Sequence, residues 1–362
     1  MSEGSSGGRD SRPEEKLPGQ VHPEGSGQGL RGCAEPLDVA YDVALLDLDG
    51  TVYLSGTAIP GAAQALRKAG EAGMRLAYVT NNAFRTPAAI AALLASFGIP
   101  AAPEDVVTSA QAAARLLAER LPAGAEVLVI GGSGLRMAVR ERGLSPVSTA
   151  VGRPQAVVQG YAPDVNYSML AEGGLAVAAG ALFVASNGDI TLPSRRGSQP
   201  GNGSLMQVIA TATGVHPLVA GKPEPPLHRE SVLRTGAKRP LVVGDRLDTD
   251  IEGAHRAGAD SLLVLTGVTS PAEAVLAPAS QRPTYLAADL AGLLGPHPGV
   301  TGDDGAFGCG GWTARAAGDR LELTGAGERI DGLRALCAAA WADGRVTRES
   351  VRAAIQRLDD AR

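Results

Sequence analysis

Residues 43–51 read V-A-L-L-D-L-D-G-T, and this stretch decides the fold. Its four leading apolar residues predict a strand that is buried on both faces of a parallel sheet. Asp47 and Asp49 follow at the carboxyl end, where open α/β sheets collect their functional groups. Side chains two residues apart on an extended chain point the same way, so both carboxylates can reach one site. A single Asp after a strand is usually a turn or cap residue, but the pair D-x-D-G-T is harder to explain that way.

The composition indicates a globular protein with room for more than one domain. The chain has 362 residues, with 44% apolar residues, 20% charged residues and a net charge of −5. Dispersed basic residues give no basic patch, so no nucleic-acid partner is expected. The sequence shows no secretory signal and no apolar run that would span a membrane, so no membrane partner is expected either. Three scattered cysteines fit a reducing compartment, and we expect a cytoplasmic protein.

Composition shifts along the chain predict its organisation. Strand and helix patterns alternate on both sides of a long insertion, which is expected to form a domain of its own because loops between strand and helix need only a few residues. The predicted division is a disordered tail (1–36), a core (37–122 and 216–296), an inserted domain (123–215), a linker (297–311) and a small α+β appendage (312–362).

Three further motifs follow predicted strands of the core. Thr80-Asn81-Asn82 ends the second strand, and Gly221-Lys222-Pro223 comes directly after the insertion. The third motif reads G-D-R-L-D-T-D and covers residues 244–250. Because parallel strands end at one edge of a sheet, these polar residues are expected to meet Asp47 there.

In this order the four motifs resemble the signatures of the haloacid-dehalogenase superfamily over roughly residues 40–295. The resemblance implies an α/β fold: a Rossmann-like parallel-sheet core with an inserted α/β cap of type 2. Within the superfamily, the chain with its appendage resembles the actinobacterial glycerol 3-phosphate phosphatases most. That resemblance implies a Mg²⁺-dependent phosphomonoesterase that acts on a small phosphorylated metabolite, with glycerol 3-phosphate favoured.

Phosphoryl transfer gives each motif residue a predicted role. Asp47 is the nucleophile that forms an aspartyl-phosphate, and Asp49 is the acid and then the base. Phosphoryl oxygens are bound by Thr80, Asn81, Asn82 and Lys222, of which Thr80 and Lys222 also act in catalysis. Mg²⁺ is held by Asp47, Asp245 and the backbone carbonyl of Asp49. Asp250 does not bind the metal directly but orients Lys222 or a metal-bound water.

Several alternatives stay open at this stage. Phosphoglycolate or a broad range of aryl phosphates such as p-nitrophenyl phosphate could be the substrate. A phosphomutase would use the same residues, whereas a dehalogenase does not need Asp49. A non-catalytic scaffold with the same fold is the alternative of another class, and a homodimer also stays open.

The appendage carries both tryptophans of the chain, Trp312 and Trp341. Apolar residues recur in it at helical spacing, so it must dock on the core, on the cap or on a second subunit. In the resembling enzymes this segment is likened to part of an acyltransferase. A complete cofactor-binding domain usually needs about 100 residues or more, so acyl transfer is not expected here.

Overall fold

The computed structural model describes residues 29–194, 196–303 and 305–361. The core is a six-stranded parallel sheet, in which Val43–Leu46 lies between two partner strands. Val43 and Leu45 face one apolar cluster, whereas Ala44 and Leu46 face another. Both faces of the strand are therefore buried, as its unbroken apolar run predicts. In spatial order the strands are Tyr285–Ala287, Asp260–Val264, Pro240–Gly244, Val43–Leu46, Arg75–Thr80 and Val106–Thr108.

Helices cover both faces of this sheet, and short segments complete the core. The core α-helices are Leu37–Ala40, Ala62–Glu71, Pro87–Ser96, Ser109–Ala118, Pro225–Thr235, Glu252–Ala257 and Pro271–Val275. The 3-10 segments are Pro103–Asp105, Ala279–Gln281 and Leu290–Leu293, and Leu247–Ile251 forms a π-helical turn. A small hairpin, Tyr53–Leu54 with Thr57–Ala58, follows the first strand. The predicted Rossmann-like core is confirmed.

The insertion forms a second α/β unit, the cap. Its five-stranded parallel sheet has the order Leu218–Val219, Leu182–Ala185, Ala156–Gln159, Glu126–Ile130 and Ser145–Val147. Its helices are Ser133–Glu141, Tyr167–Ala178 and Asn202–Thr213, and its hairpin pairs Thr191–Ser194 with Gly197–Pro200.

One predicted boundary of the cap is wrong. Residues 216–220 were expected to begin the second half of the core, but Leu218–Val219 pairs with the cap strand Leu182–Ala185. The cap sheet therefore extends past residue 215. A short apolar segment predicts a strand without showing which of two sheets it joins, because the pairing partner is distant in sequence.

The helix Ser109–Ala118 joins the core to the cap. It is buried along most of its length, and its alanines share one apolar cluster with Val43 of the core and Val127 of the cap. Polar contacts add to this packing, since Arg142 of the cap donates to the buried Glu230 of the core at 2.7 Å. The cap is therefore packed against the core rather than tethered to it.

The C-terminal unit is larger than the predicted appendage. Residues 297–311 were expected to be a linker, but they include two strands of a four-stranded antiparallel sheet. The glycines and aspartates of residues 301–309 show no strand pattern, and these strands are defined by their pairing. Thr301–Asp303 pairs with Ala306–Cys309, which in turn pairs with Trp312–Ala317. The strands are Thr301–Asp303, Ala306–Cys309, Trp312–Ala317 and Arg320–Gly325, followed by the helices Arg329–Asp343 and Arg348–Asp360.

This unit docks on the core. Trp312 and Trp341 lie in an apolar cluster together with Leu247, Ile251 and Leu286 of the core. The buried Arg334 fastens the contact, because it donates to the carbonyl of Leu286 at 2.6 Å and pairs with Asp331. Leu247 and Ile251 belong to the loop that follows Asp245, so the C-terminal unit packs behind that loop.

The predicted disordered tail lies mostly outside the described residues, which begin at residue 29. Within residues 29–36 the prediction is wrong, because Cys33 exchanges two backbone hydrogen bonds with His297, at 2.9 and 2.8 Å. Among the helices of the described residues, none has both the length and the apolar character that crossing a membrane requires.

The Arg334 contact generates a stability prediction. We expect Arg334→Ala to lower the free energy of unfolding by about 3 kcal/mol, because it leaves the partly buried carboxylate of Asp331 and the buried carbonyl of Leu286 without their donor. Urea unfolding checks this value against Arg352→Ala, an exposed arginine on the last helix, which should leave stability unchanged. Equal stability of both variants would mean that Arg334 does not hold the C-terminal unit.

Candidate active site

The carboxyl ends of two neighbouring core strands place the acidic residues together. Asp47 follows Val43–Leu46, and its backbone N–H donates to the carbonyl of Val243 at 2.8 Å. Asp245 follows the adjacent strand Pro240–Gly244, and Asp250 lies one turn further on. One oxygen from each of these three carboxylates can lie within 4.8 Å of the others.

Lys222 lies among these carboxylates and is only 3% exposed. Its ammonium makes a short ion pair with Asp47 and donates to Oδ1 of Asp250 at 2.7 Å. Burial opposes the charged form, but Asp250 and Asp47 outweigh it and raise the pKa of Lys222 above its usual value. The lysine therefore keeps its charge beside the predicted nucleophile.

The carboxylates repel one another across the site. Burial raises the pKa of Asp47; the ammonium of Lys222 opposes this shift, and Asp250 and Asp245 add to it. Burial, with Asp250 as the second cause, also raises the pKa of Asp245 to about 6. One ammonium against three carboxylates leaves an excess of negative charge, which a divalent cation would compensate.

The oxygen donors fit Mg²⁺, which prefers carboxylate and carbonyl ligands. Asp245 is fixed in place by the backbone N–H of Val268, which donates to Oδ2 at 2.6 Å. A methyl group at Gly50 or at Gly267 would overlap the Asp245 carboxylate, and Gly50 also has a φ of +96°. Both oxygens of Asp250 are already bonded, one to Lys222 and the other to the backbone N–H of Arg246. Asp47 and Asp245 are therefore better placed as ligands than Asp250.

Asp49 differs from Asp47 in its surroundings. Its side chain is exposed, and the backbone N–H of Ser55 in the small hairpin donates to its carboxylate. Partial burial of the carboxylate raises the pKa of Asp49, whereas the Ser55 hydrogen bond lowers it. An exposed carboxyl group with a raised pKa suits a residue that exchanges protons.

The second motif makes hydrogen bonds within its own loop. The Thr80 hydroxyl is buried and accepts from the backbone N–H of Asn82 at 3.1 Å, which leaves its own hydrogen for another acceptor. The side-chain carbonyl of Asn82 accepts from the backbone N–H groups of Phe84 and Arg85 at 3.0 and 2.9 Å. This contact gives Asn82 a structural role in its loop, and its contact with substrate stays a prediction.

The side chain of Asn81 makes contacts that the sequence did not predict. Its Oδ1 accepts from the backbone N–H of Lys222 at 2.8 Å, and its Nδ2 donates to the carbonyl of Lys222 at 3.1 Å. Nδ2 also contacts both carboxylate oxygens of Asp189, at 3.2 and 3.3 Å. The amide thus holds the lysine loop, and the contact of Asn81 with phosphoryl oxygens stays a prediction.

Asp189 and Asn187 of the cap are the site residues that sequence reasoning missed. They lie in the segment S-N-G-D (186–189), directly after the cap strand Leu182–Ala185. Their position directly after a predicted strand was the one signal that could have marked them as site residues. Asn-Gly-Asp is also typical of an ordinary turn, so the signal is weak.

Comparison with known proteins agrees with this geometry. The profile of the haloacid dehalogenase-like hydrolases matches residues 44–145, and a second HAD-hydrolase-like profile matches residues 219–293. D-glycerol 3-phosphate phosphatase of Mycobacterium tuberculosis is 47% identical over 309 residues, which cover 83% of this chain and 86% of that protein. The chain belongs to the haloacid dehalogenase-like hydrolases. The predicted superfamily and its hydrolase class are confirmed.

Solved structures of this family superpose on the chain. The crystal structure of glycerol phosphate phosphatase from M. tuberculosis in complex with magnesium has a TM-score of 0.80 and 43% identity, covering 90% of this chain and 99% of that one. A putative p-nitrophenyl phosphatase from Bacillus subtilis has a TM-score of 0.62 and 38% identity, covering 69% of this chain and 94% of that one. The profile of a GCN5-related N-acetyltransferase-like domain matches residues 309–361, within the C-terminal unit.

The close packing around Asp245 generates a prediction about the metal. We expect Gly267→Ala to raise the Mg²⁺ concentration that gives half-maximal phosphatase activity, because the added methyl displaces the Asp245 carboxylate. Excess Mg²⁺ should recover part of the rate. Gly174→Ala is the matched control, since a methyl there meets no atom within 4 Å. An unchanged Mg²⁺ titration for Gly267→Ala would remove Asp245 from the ligand set.

Proposed function

We propose that this protein is a Mg²⁺-dependent phosphomonoesterase that hydrolyses glycerol 3-phosphate through an aspartyl-phosphate on Asp47. The observation that carries the proposal is the buried contact of Lys222 with Asp47 at the sheet edge, with Asp245 alongside. A carboxylate held against an ammonium is poised to attack phosphorus while the positive charge balances the incoming phosphoryl group.

The proposed reaction has two half-reactions. An oxygen of Asp47 forms a bond to phosphorus as the bond from phosphorus to the leaving alcohol breaks, and Asp49 gives its proton to that alcohol. Water then attacks the aspartyl-phosphate, Asp49 takes a proton from that water, and Asp47 is released with inorganic phosphate. The exposed position of Asp49, two residues after Asp47, supports its role at the leaving group and the water.

The other site residues would bind and balance the phosphoryl group. Thr80 has a hydroxyl hydrogen to donate to a phosphoryl oxygen, and Lys222 neutralises developing charge. Asp47, Asp245 and the backbone carbonyl of Asp49 would hold Mg²⁺, which supplies charge neutralisation and orientation when it is bound. The magnesium complex of the M. tuberculosis relative supports this requirement.

The proposed substrate comes from the relatives. The M. tuberculosis protein that is 47% identical is named for D-glycerol 3-phosphate, and the match covers 83% of this chain. Relatives named as 5′-nucleotidase, acid sugar phosphatase and p-nitrophenyl phosphatase support a broader phosphatase as the alternative. The three free cysteines support a cytoplasmic location, and a second copy of the chain stays a predicted partner.

The test of the proposal compares the wild-type enzyme with Asp47→Asn. We expect the wild type to release phosphate from glycerol 3-phosphate only with Mg²⁺, and to prefer it over phosphoglycolate and p-nitrophenyl phosphate. Asp47→Asn keeps the shape of the side chain but removes the attacking anion, so turnover should be lost while the melting temperature is kept. If the wild type prefers another substrate, that substrate replaces glycerol 3-phosphate in the proposal. An Asp47→Asn protein that is active without deamidation would exclude the aspartyl-phosphate intermediate.

A further prediction separates the proton duty of Asp49 from binding. We expect Asp49→Asn to lower kcat at least about tenfold more on glycerol 3-phosphate than on p-nitrophenyl phosphate, whose leaving group needs no proton. Steady-state kinetics on both substrates measure the ratio. Equal losses on the two substrates would show that Asp49 does not protonate the leaving group.

A further inference from the structure

Asn81 connects the catalytic lysine to the cap. Its side-chain amide brackets the backbone of Lys222, accepting from the N–H and donating to the carbonyl. The remaining hydrogen-bonding capacity of Nδ2 goes to the carboxylate of Asp189, a cap residue. One amide therefore touches the core loop that carries the lysine and the cap loop that lies over it.

A second cap residue holds the backbone of Asn81. Asn187 donates from Nδ2 to the carbonyl of Asn81 at 2.8 Å, and its Oδ1 accepts from the backbone N–H of Asp189 at 3.2 Å. The two cap side chains thus act together on Asn81, one on its main chain and one on its amide.

The cap loop itself is firmly held. The buried Asn202 donates to the carbonyl of Asn187 at 2.7 Å, and the N–H of Gly203 donates to the carbonyl of Asp189 at 2.8 Å. At Gly221, a methyl group would lie 2.6 Å from Oδ1 of Asn81 and 2.7 Å from the carbonyl of Ser186. The loops of Asn81, Lys222 and the cap therefore approach as closely as their backbones allow.

We propose that Asp189 is a positioning residue, which holds Asn81 and thereby keeps Lys222 against Asp47 when the cap is docked. The proposal rests on the proposed phosphatase function and adds a coupling to it. Asp47 and Asp250 hold the ammonium of Lys222 from the core, and Asp189 supports the lysine backbone from the cap through Asn81.

The orientation of Asp189 distinguishes this role from recognition of the leaving group. Both carboxylate oxygens lie within 3.3 Å of Nδ2 of Asn81, so the group faces the core amide. Burial raises the pKa of Asp189, whereas Asn81 and the charges of Arg246 and Lys222 lower it. A residue that acts through Lys222 should affect every phosphate ester alike, because the lysine acts on the phosphoryl group.

The first experiment compares Asp189→Ala with the wild type on glycerol 3-phosphate and on p-nitrophenyl phosphate. We expect kcat to fall about 10- to 100-fold on both substrates by the same factor, as a small displacement of a catalytic group does. Asp164→Ala, an exposed aspartate of the cap, is the matched control and should behave as the wild type. Losses that differ strongly between the two substrates, or no loss, would overturn the proposal.

A double-mutant cycle tests the contact itself. Asn81→Asp alone puts two carboxylates against each other and should be the least active variant. Adding Asp189→Asn restores a donor opposite an acceptor, and the N–H of Lys222 still has an oxygen to bond. The donor to the carbonyl of Lys222 is lost in both variants, so the comparison between them reports the contact with residue 189 alone. We expect the double variant to recover at least about tenfold in kcat over Asn81→Asp. Recovery of the melting temperature without recovery of kcat would reduce the contact to a purely structural one.

A binding measurement separates failure of this inference from failure of the proposed function. Calorimetry of inorganic phosphate with Mg²⁺ should show weaker binding to Asp189→Ala, by about tenfold, because the displaced Lys222 no longer meets the anion. A wild type that binds phosphate but hydrolyses no ester would contradict the proposed function and leave this result valid. Unchanged phosphate affinity in Asp189→Ala, with an active wild type, would contradict the inference alone.

Discussion

The buried ammonium of Lys222 is the constraint on which the site depends. A lysine that is 3% exposed is stable only if anions replace its water, and here Asp47 and Asp250 do so. The three residues come from separate segments of the core, so their contact requires the whole parallel sheet to be assembled. The buried positive charge of Lys222 is costly to the fold, and the same charge holds the attacking carboxylate of Asp47 in place.

The three units of the chain all converge on this contact. The cap reaches the lysine loop through Asp189 and Asn187, which contact Asn81. The C-terminal unit packs against Leu247 and Ile251, which flank the turn that holds Asp250. The cap thus contacts the lysine loop from one side, whereas the C-terminal unit packs against the loop of Asp250.

The charge balance explains why the family chemistry includes a cation. The ammonium of Lys222 faces Asp47, Asp245 and Asp250, Arg246 adds a positive charge that acts on Asp245, and a phosphate ester adds further negative charge. Both carboxylate oxygens of Asp250 already accept hydrogen bonds, one from Lys222 and one from the backbone N–H of Arg246. Asp47 and Asp245 are therefore the carboxylates that would bind the neutralising metal. Asp250 therefore binds the lysine, and Asp245 remains available to the metal. Asp47 contacts the lysine and also lies at the metal site.

Much of this protein follows from local sequence. The apolar run 43–46, the carboxylates after it and the polar residues after later strands predict a parallel sheet with an acidic site at its edge. These features are local, because strand burial and the position of a side chain after a strand depend on neighbouring residues. Asp47, Lys222, Asp245 and Asp250 were found in this way, and the structure brings them together.

The tertiary structure decided the rest, namely the pairings between distant segments. Asn81 and Asp189 are 108 residues apart, and nothing near either residue indicates the other. The strand Leu218–Val219 joined the cap sheet, and residues 301–309 joined a sheet whose later strands define it. In each case the local pattern permits several partners, and the packing of the complete chain selects one, because only there are the backbone and side-chain hydrogen bonds satisfied together.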